Sequence, residues 1–128
     1  MAEKSIIIGE QEVRMRATAL IPRLYRFKFG RDMISDMNTL QKNFNKVRSL
    51  RDDATEEEIA EAQLSVLDLT IFENVAWLMA RQADPEIPDN PDEWLETIDG
   101  VFSIYEVLPV IIDLWQWNTA TTSVPRKK

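Results

Sequence analysis

The chain has 128 residues, a net charge of −7 and 45% hydrophobic side chains, four tryptophans among them, which is material for the core of a single domain. It contains neither cysteine nor histidine, and its three glycines, Gly9, Gly30 and Gly100, lie far apart. These absences exclude disulfides, thiol and serine–histidine nucleophiles, imidazole acid–base chemistry, the usual zinc sites and glycine-rich phosphate loops, so neither an enzyme nor a bound cofactor or metal is expected.

The opening Met1-Ala2-Glu3-Lys4 lacks the apolar core of a signal peptide, which makes an intracellular protein the default. Residues 1–17 read as a β-hairpin. Ser5-Ile6-Ile7-Ile8 and Gln11-Glu12-Val13-Arg14-Met15-Arg16 flank Gly9-Glu10, with Val13 and Met15 on one face. An isolated hairpin is marginal in water, so Ile6, Ile8, Val13 and Met15 should lie on helices or pair with a neighbouring subunit.

Thr18 is placed to cap a helix over 19–29, with Pro22 in its first turn and Gly30 as its left-handed terminator. Its inward stripe reads as Leu20, Leu24 and Phe27, bordered by Tyr25 and Phe29, with Arg23, Arg26 and Lys28 outside. Asp32 starts a second helix in which Met33, Met37, Leu40, Phe44 and Val47 recur at steps of four and three. Ile34 widens that stripe and Leu50 closes it, while Asp36, Asn38, Gln41 and Lys42 belong to a solvated face. Helix–glycine–helix also describes a helix-turn-helix, but Asp32 and Asp36 at the start of the recognition position would repel phosphate.

Thr55-Glu56-Glu57-Glu58 is a capping box, and the helix it opens is expected to run to about Gln82. From Leu69 to Ala80 it is apolar nearly all round, the property of a central helix. Three prolines make 83–91 a loop, which ends in Asn90-Pro91 and a short helix bearing Trp94, Leu95 and Ile98. The last helix, 101–118, is the most apolar stretch; Glu106 and Asp113 make it a poor membrane span, and Pro109 should kink it. Residues 119–128 read as a flexible tail. The fold class is therefore mainly α: one domain over 1–118, a bundle of about five helices preceded by the hairpin.

Charge is segregated: residues 1–51 sum to +6, residues 52–125 to −16, and Arg126-Lys127-Lys128 add +3. Opposite faces that pack together, within one chain or between copies, explain such a split. A nucleic-acid regulator using Arg14, Arg16, Arg23, Arg26, Lys28 and Arg31 is the alternative, disfavoured because no aromatic-interleaved stripe accompanies the charges. The carboxylates at 56–58 and 89–93 sit at helix starts, where acids are expected without a metal, and the second group lacks the ligand spacing of a calcium loop.

The apolar set of the last helix exceeds one buried stripe. Either it is a central helix wrapped by the others, or one side, carrying Trp115 and Trp117, serves a partner helix. On the second reading Ile104, Leu108, Ile111, Ile112, Trp115 and Trp117 bind the partner. Ile6, Ile8, Val13, Met15, Arg23 and Arg26 are the candidates for self-association.

The hairpin followed by Arg16-Ala17-Thr18-Ala19, the run Tyr25-Arg26-Phe27-Lys28-Phe29-Gly30-Arg31-Asp32, the Trp77 helix, the Trp94-Leu95 turn and the Trp-rich last helix occur in an order that resembles the short tail assembly chaperones of long-tailed (siphophage-type) phages and prophages. The resemblance spans nearly the whole chain; Phe29-Gly30-Arg31-Asp32 is its sharpest piece, and with Trp77 and Trp94 it is assigned a structural role. The resemblance implies a protein of the host bacterial cytoplasm, absent from the mature virion. Such a protein self-associates, coats the tape measure protein and helps recruit major tail (tube) protein. It also implies a longer product made by programmed frameshifting, with which Lys127-Lys128 is compatible as the product of an A-rich slippery codon pair.

Overall fold

The structure, a computed structural model, describes residues 2–50, 53–61 and 63–122, and the side chains of 3–50, 53–59 and 63–116. Among these residues the order is β1 (Ala2–Ile8), β2 (Gln11–Ala17), α1 (Ile21–Phe29), α2 (Met33–Arg48), α3 (Glu56–Glu61), α4 (Val66–Ala83), α5 (Pro91–Glu96) and α6 (Ile104–Thr122). The mainly α reading and the N-terminal hairpin hold, but the described residues form six helices rather than about five.

The additional helix arises because the long helix expected from Thr55 to Gln82 is two. Thr55 and Glu58 do form the capping box of α3, with Glu58 N–H donating to Thr55 Oγ1 at 3.1 Å and Thr55 N–H to Glu58 Oε1 at 2.8 Å. A second box then starts α4. Asp68 N–H donates to Ser65 Oγ at 3.0 Å, Ser65 N–H donates to Asp68 Oδ2 at 2.9 Å, and Ser65 is extended. Asn43 of α2 donates to both oxygens of the buried Asp68, at 3.2 and 3.1 Å. The new start is thus anchored to a neighbouring helix, and an acid that would otherwise be desolvated is satisfied.

Helix α4 occupies the centre. Ile71, Phe72 and every residue from Val75 to Ala80 are buried, and it packs against β2, α1, α2, α5 and α6. That is the outcome anticipated for a helix apolar nearly all round. The hairpin covers one side, β2 on α4 and β1 on α6, in a register that places Ile6 opposite Val13 and Lys4 opposite Met15. Ile8, Val13, Met15 and Ala17 are buried and Ile6 is partly so, while Ile7 points out. Of the two fates open to these residues, packing on the chain's own helices is the one adopted.

The hairpin turn meets the turn between α5 and α6. Gly9 has φ +64°, and a Cβ there would lie 1.9 Å from the Asp99 carbonyl oxygen. Trp94 of α5 is buried edge-on against Phe102, at 5.6 Å between centroids, and Phe102 stacks on Phe72 at 4.9 Å. Asn90 caps α5 as expected, accepting from Glu93 N–H at 2.8 Å. Helix α6 begins at Ile104, three residues later than Val101, after Ser103 Oγ accepts the Tyr105 N–H at 3.2 Å. It continues to Thr122, past the expected start of a tail at 119, and the rest of that tail lies outside the described residues.

Candidate functional site

The sharpest local motif builds a corner between α1 and α2. Gly30, at φ +68°, ends α1, and its N–H donates to Arg26 O; Asp32 Oδ1 then caps α2 by accepting from Ile34 N–H at 3.1 Å. Arg31 reaches forward as a fork onto Asp36, Nε to Oδ2 at 2.7 Å and Nη2 to Oδ1 at 2.9 Å, while the Tyr25 hydroxyl donates to Oδ2 at 2.7 Å. Asp36 is only 6% exposed, a correction to its assignment to a solvated face. The Arg31 hydrogen bonds hold its carboxyl below the usual aspartate range, and burial, then the Asp36 bond, pushes the Tyr25 phenol up. Phe29 completes the corner by bridging Tyr25, at 5.1 Å, and Trp77, at 6.1 Å. Phe29, Gly30, Arg31, Asp32, Trp77 and Trp94 thus all act within the scaffold.

Tyr25 also decides which way α1 faces. The helix carries two apolar stripes: Leu20, Leu24 and Phe27 on one side, and Ile21, Tyr25 and Phe29 on the other. Ile21 and Tyr25 of the second are buried and Phe29 half-buried, and this stripe brings a hydroxyl to Asp36 and the Phe29 ring to Trp77. Leu20 is left 46% exposed and Phe27 90% exposed, so the expected inward stripe is corrected at these two residues, while Leu24 stays half-buried against the core. Thr18 does not cap this helix. Its Oγ1 accepts from Leu20 N–H at 3.3 Å in the turn before it, and the first helical residue is Ile21.

Beside Phe27 lies an apolar notch of about 150 Å³, lined by Leu24, Phe27, Lys28, Trp77, Leu78, Arg81 and Gln82. Its walls are fixed from behind: Trp77 Nε1 donates to Pro88 O at 2.8 Å, Arg81 donates to Ile87 O, and Lys28 lies over the Trp77 ring at 5.6 Å. Arg23 and Arg26 stand exposed on the same helix.

The partner-binding reading of α6 is corrected in part. Ile104, Leu108, Ile111 and Trp115 fall on one stripe with Val107 and Leu114, and all are buried beneath the hairpin and against α4. A partner helix cannot reach them in the folded chain. Ile112 is half-buried on the other side, and the Trp117 side chain lies outside the described residues. Tyr105, Pro109, Ile112 and Gln116, spaced by four and three, form an outer row. Pro109, Ile112 and Gln116 line an open groove of about 350 Å³ shared with Gln41, Asn45 and Arg48 of α2 and with Lys4, which pairs with Asp113 at 2.5 Å.

A third exposed region surrounds the start of α4. Val66 is 82% exposed, Leu67 and Ile59 are also exposed, and the acids Glu56, Glu57 and Glu58 precede them. Val101, at the approach to α6, is 78% exposed.

Three basic residues of the first third are engaged within the chain. Arg14 faces Glu3 at 3.5 Å, Arg31 is held by Asp36, and Lys28 is held over Trp77. On α4, burial raises the pKa of Glu73, and the nearby Asp92 adds to the shift. Among the described residues no three Asp or Glu side chains converge as a metal site, and no helix is long and apolar enough to cross a membrane. Searches of protein-family models, curated proteins and solved structures found no match to this chain.

Proposed function

We propose that this chain is a tail assembly chaperone: it self-associates, coats the tape measure protein and helps recruit tail-tube subunits in the host cytoplasm, working by contact rather than catalysis. The observation that carries this reading is the outer row of α6. Tyr105 is exposed, and Pro109 and Ile112 follow it along an open groove between α2 and α6. A groove between two helices that sets Pro109, Val110 and Ile112 among Gln41, Asn45, Gln116 and the charged Lys4, Arg48 and Asp113 offers both apolar and polar contacts to a long amphipathic helix, which is the chemistry of a tape measure. The client surface is thereby assigned to the outer side of α6, not to the inner stripe that includes Leu108 and Ile111.

Coexpression tests this reading. The tape measure protein encoded near this chain's gene should move from the insoluble to the soluble fraction when the chain is present, and Tyr105→Ala should reduce that effect. A client that stays as insoluble as it is alone sinks the proposal.

A further inference from the structure

We propose that copies of this chain join head to tail, the acidic, apolar stretch of α3 and the start of α4 in one copy seating on the basic, Phe27-bearing face of α1 in the next. The inference rests on the self-association proposed above and goes further by naming the two faces that meet.

Each face lacks what the other has. Helix α1 contains no acid; around the 90%-exposed Phe27 it displays Arg23 and Arg26, with the notch floored by Trp77 and Leu78 beside it. The stretch from 53 to 80 contains no lysine or arginine. It presents Glu56, Glu57 and Glu58 together with exposed Ile59, Val66 and Leu67. Apolar anchors ringed by opposite charges on the two sides make a complementary pair.

The positions of the faces dictate the geometry. The notch uses Trp77, Leu78, Arg81 and Gln82 near the C-terminal end of α4, whereas Val66 and Leu67 belong to its first turn. The two lie roughly 20 Å apart along the helix axis. One chain cannot bring its own faces together without dismantling its central helix, so any contact between them is made between chains. A contact between two different faces repeats, leaving a free face at each end to receive another copy.

The test uses two variants and their mixture, followed by sedimentation velocity. At about 50 mM salt the full chain should form assemblies larger than a dimer, and these should dissociate as salt rises to about 500 mM. Phe27→Ser removes the receiving anchor, and Val66→Lys places a cation on the inserting face. Either should raise the concentration needed for assembly at least about tenfold. Mixed in equal amounts, the two variants retain one intact pair of faces between them, so a heterodimer should form that grows no further. Arg26→Glu provides a second break in the receiving face should Phe27→Ser lower expression.

A full chain that remains monomeric or stops at a dimer overturns the proposal, as does either variant assembling normally or a mixture that yields no heterodimer. A full chain that stays monomeric yet keeps the client soluble would remove this contact and leave the client-coating part of the proposed function standing. Intact assembly with an insoluble client would do the reverse.

Discussion

Helices α1 and α6 handle their apolar side chains in opposite ways. Helix α6 has the heavier load, and its inner stripe, Ile104, Val107, Leu108, Ile111, Leu114 and Trp115, vanishes beneath the hairpin and α4. Helix α1 is shorter and more charged, yet it leaves Phe27 almost entirely in solvent. The difference follows from what each stripe can reach. The hairpin needs a broad apolar floor and α6 supplies it, whereas α1 is rotated by one polar contact, the Tyr25 hydroxyl on Asp36. The quantity of apolar surface on a helix therefore does not tell which surface a partner meets. A buried hydroxyl that must find an acceptor outweighs a neighbouring ring that can stay wet.

Substitution can break this contrast, and the largest effect lies on the hidden side. Leu108→Ala should cost about 2–5 kcal/mol in urea unfolding, since it opens a cavity where nothing from solvent can enter. A loss below 1 kcal/mol would mean that α6 is far more loosely packed than described.

Removing the contact that rotates α1 comes next. Asp36→Asn should cost about 1–2 kcal/mol at neutral pH, limited because the Arg31 end of the fork is partly in water. The pH dependence has a definite sign. The folded-state pKa of Asp36 lies below its unfolded value, so its contribution is complete above the ordinary aspartate range and disappears as pH falls through the folded value. The wild-type advantage over Asp36→Asn should therefore shrink as pH is lowered below about 4. An advantage that grows in acid would contradict the geometry.

The smallest effect on stability belongs to the exposed side. Phe27→Ser should shift the unfolding free energy by no more than about 0.5 kcal/mol while weakening self-association. Equal losses at Phe27 and Leu108 would erase the distinction between the two helices.

Much of the fold could be read along the chain. The hairpin, the Gly30 terminator, the Asp32 and Asn90 caps, the α2 stripe through Met33, Met37, Leu40 and Phe44, and the central role of α4 follow from turn chemistry and periodicity that are local. The interruption before α4 was also legible, in Ser65-Val66-Leu67-Asp68, but a capping box inside a strongly apolar run is easily overlooked. Asp36 carried a clue of its own: it falls three residues after Met33 and four before Leu40, inside the buried arc of α2. What periodicity could not decide was the rotation of α1, because both of its stripes are apolar and the choice depends on Asp36 and Trp77, which come later in the chain. The same limit applied to α6, whose covering strand β1 lies about a hundred residues away in sequence. The surfaces proposed for contact were hardest to read, since they are what remains after such distant choices have been made.

The docking of β1 on α6 sets an order of events during synthesis. Ile6 and Ile8 are made about a hundred residues before the helix that covers them. Until α6 emerges, the β1 side of the hairpin lacks its apolar cover, even where β2 has already found α4. The nascent chain thus holds the β1 side of the hairpin open until α6 is made, and that helix is the step that closes the core.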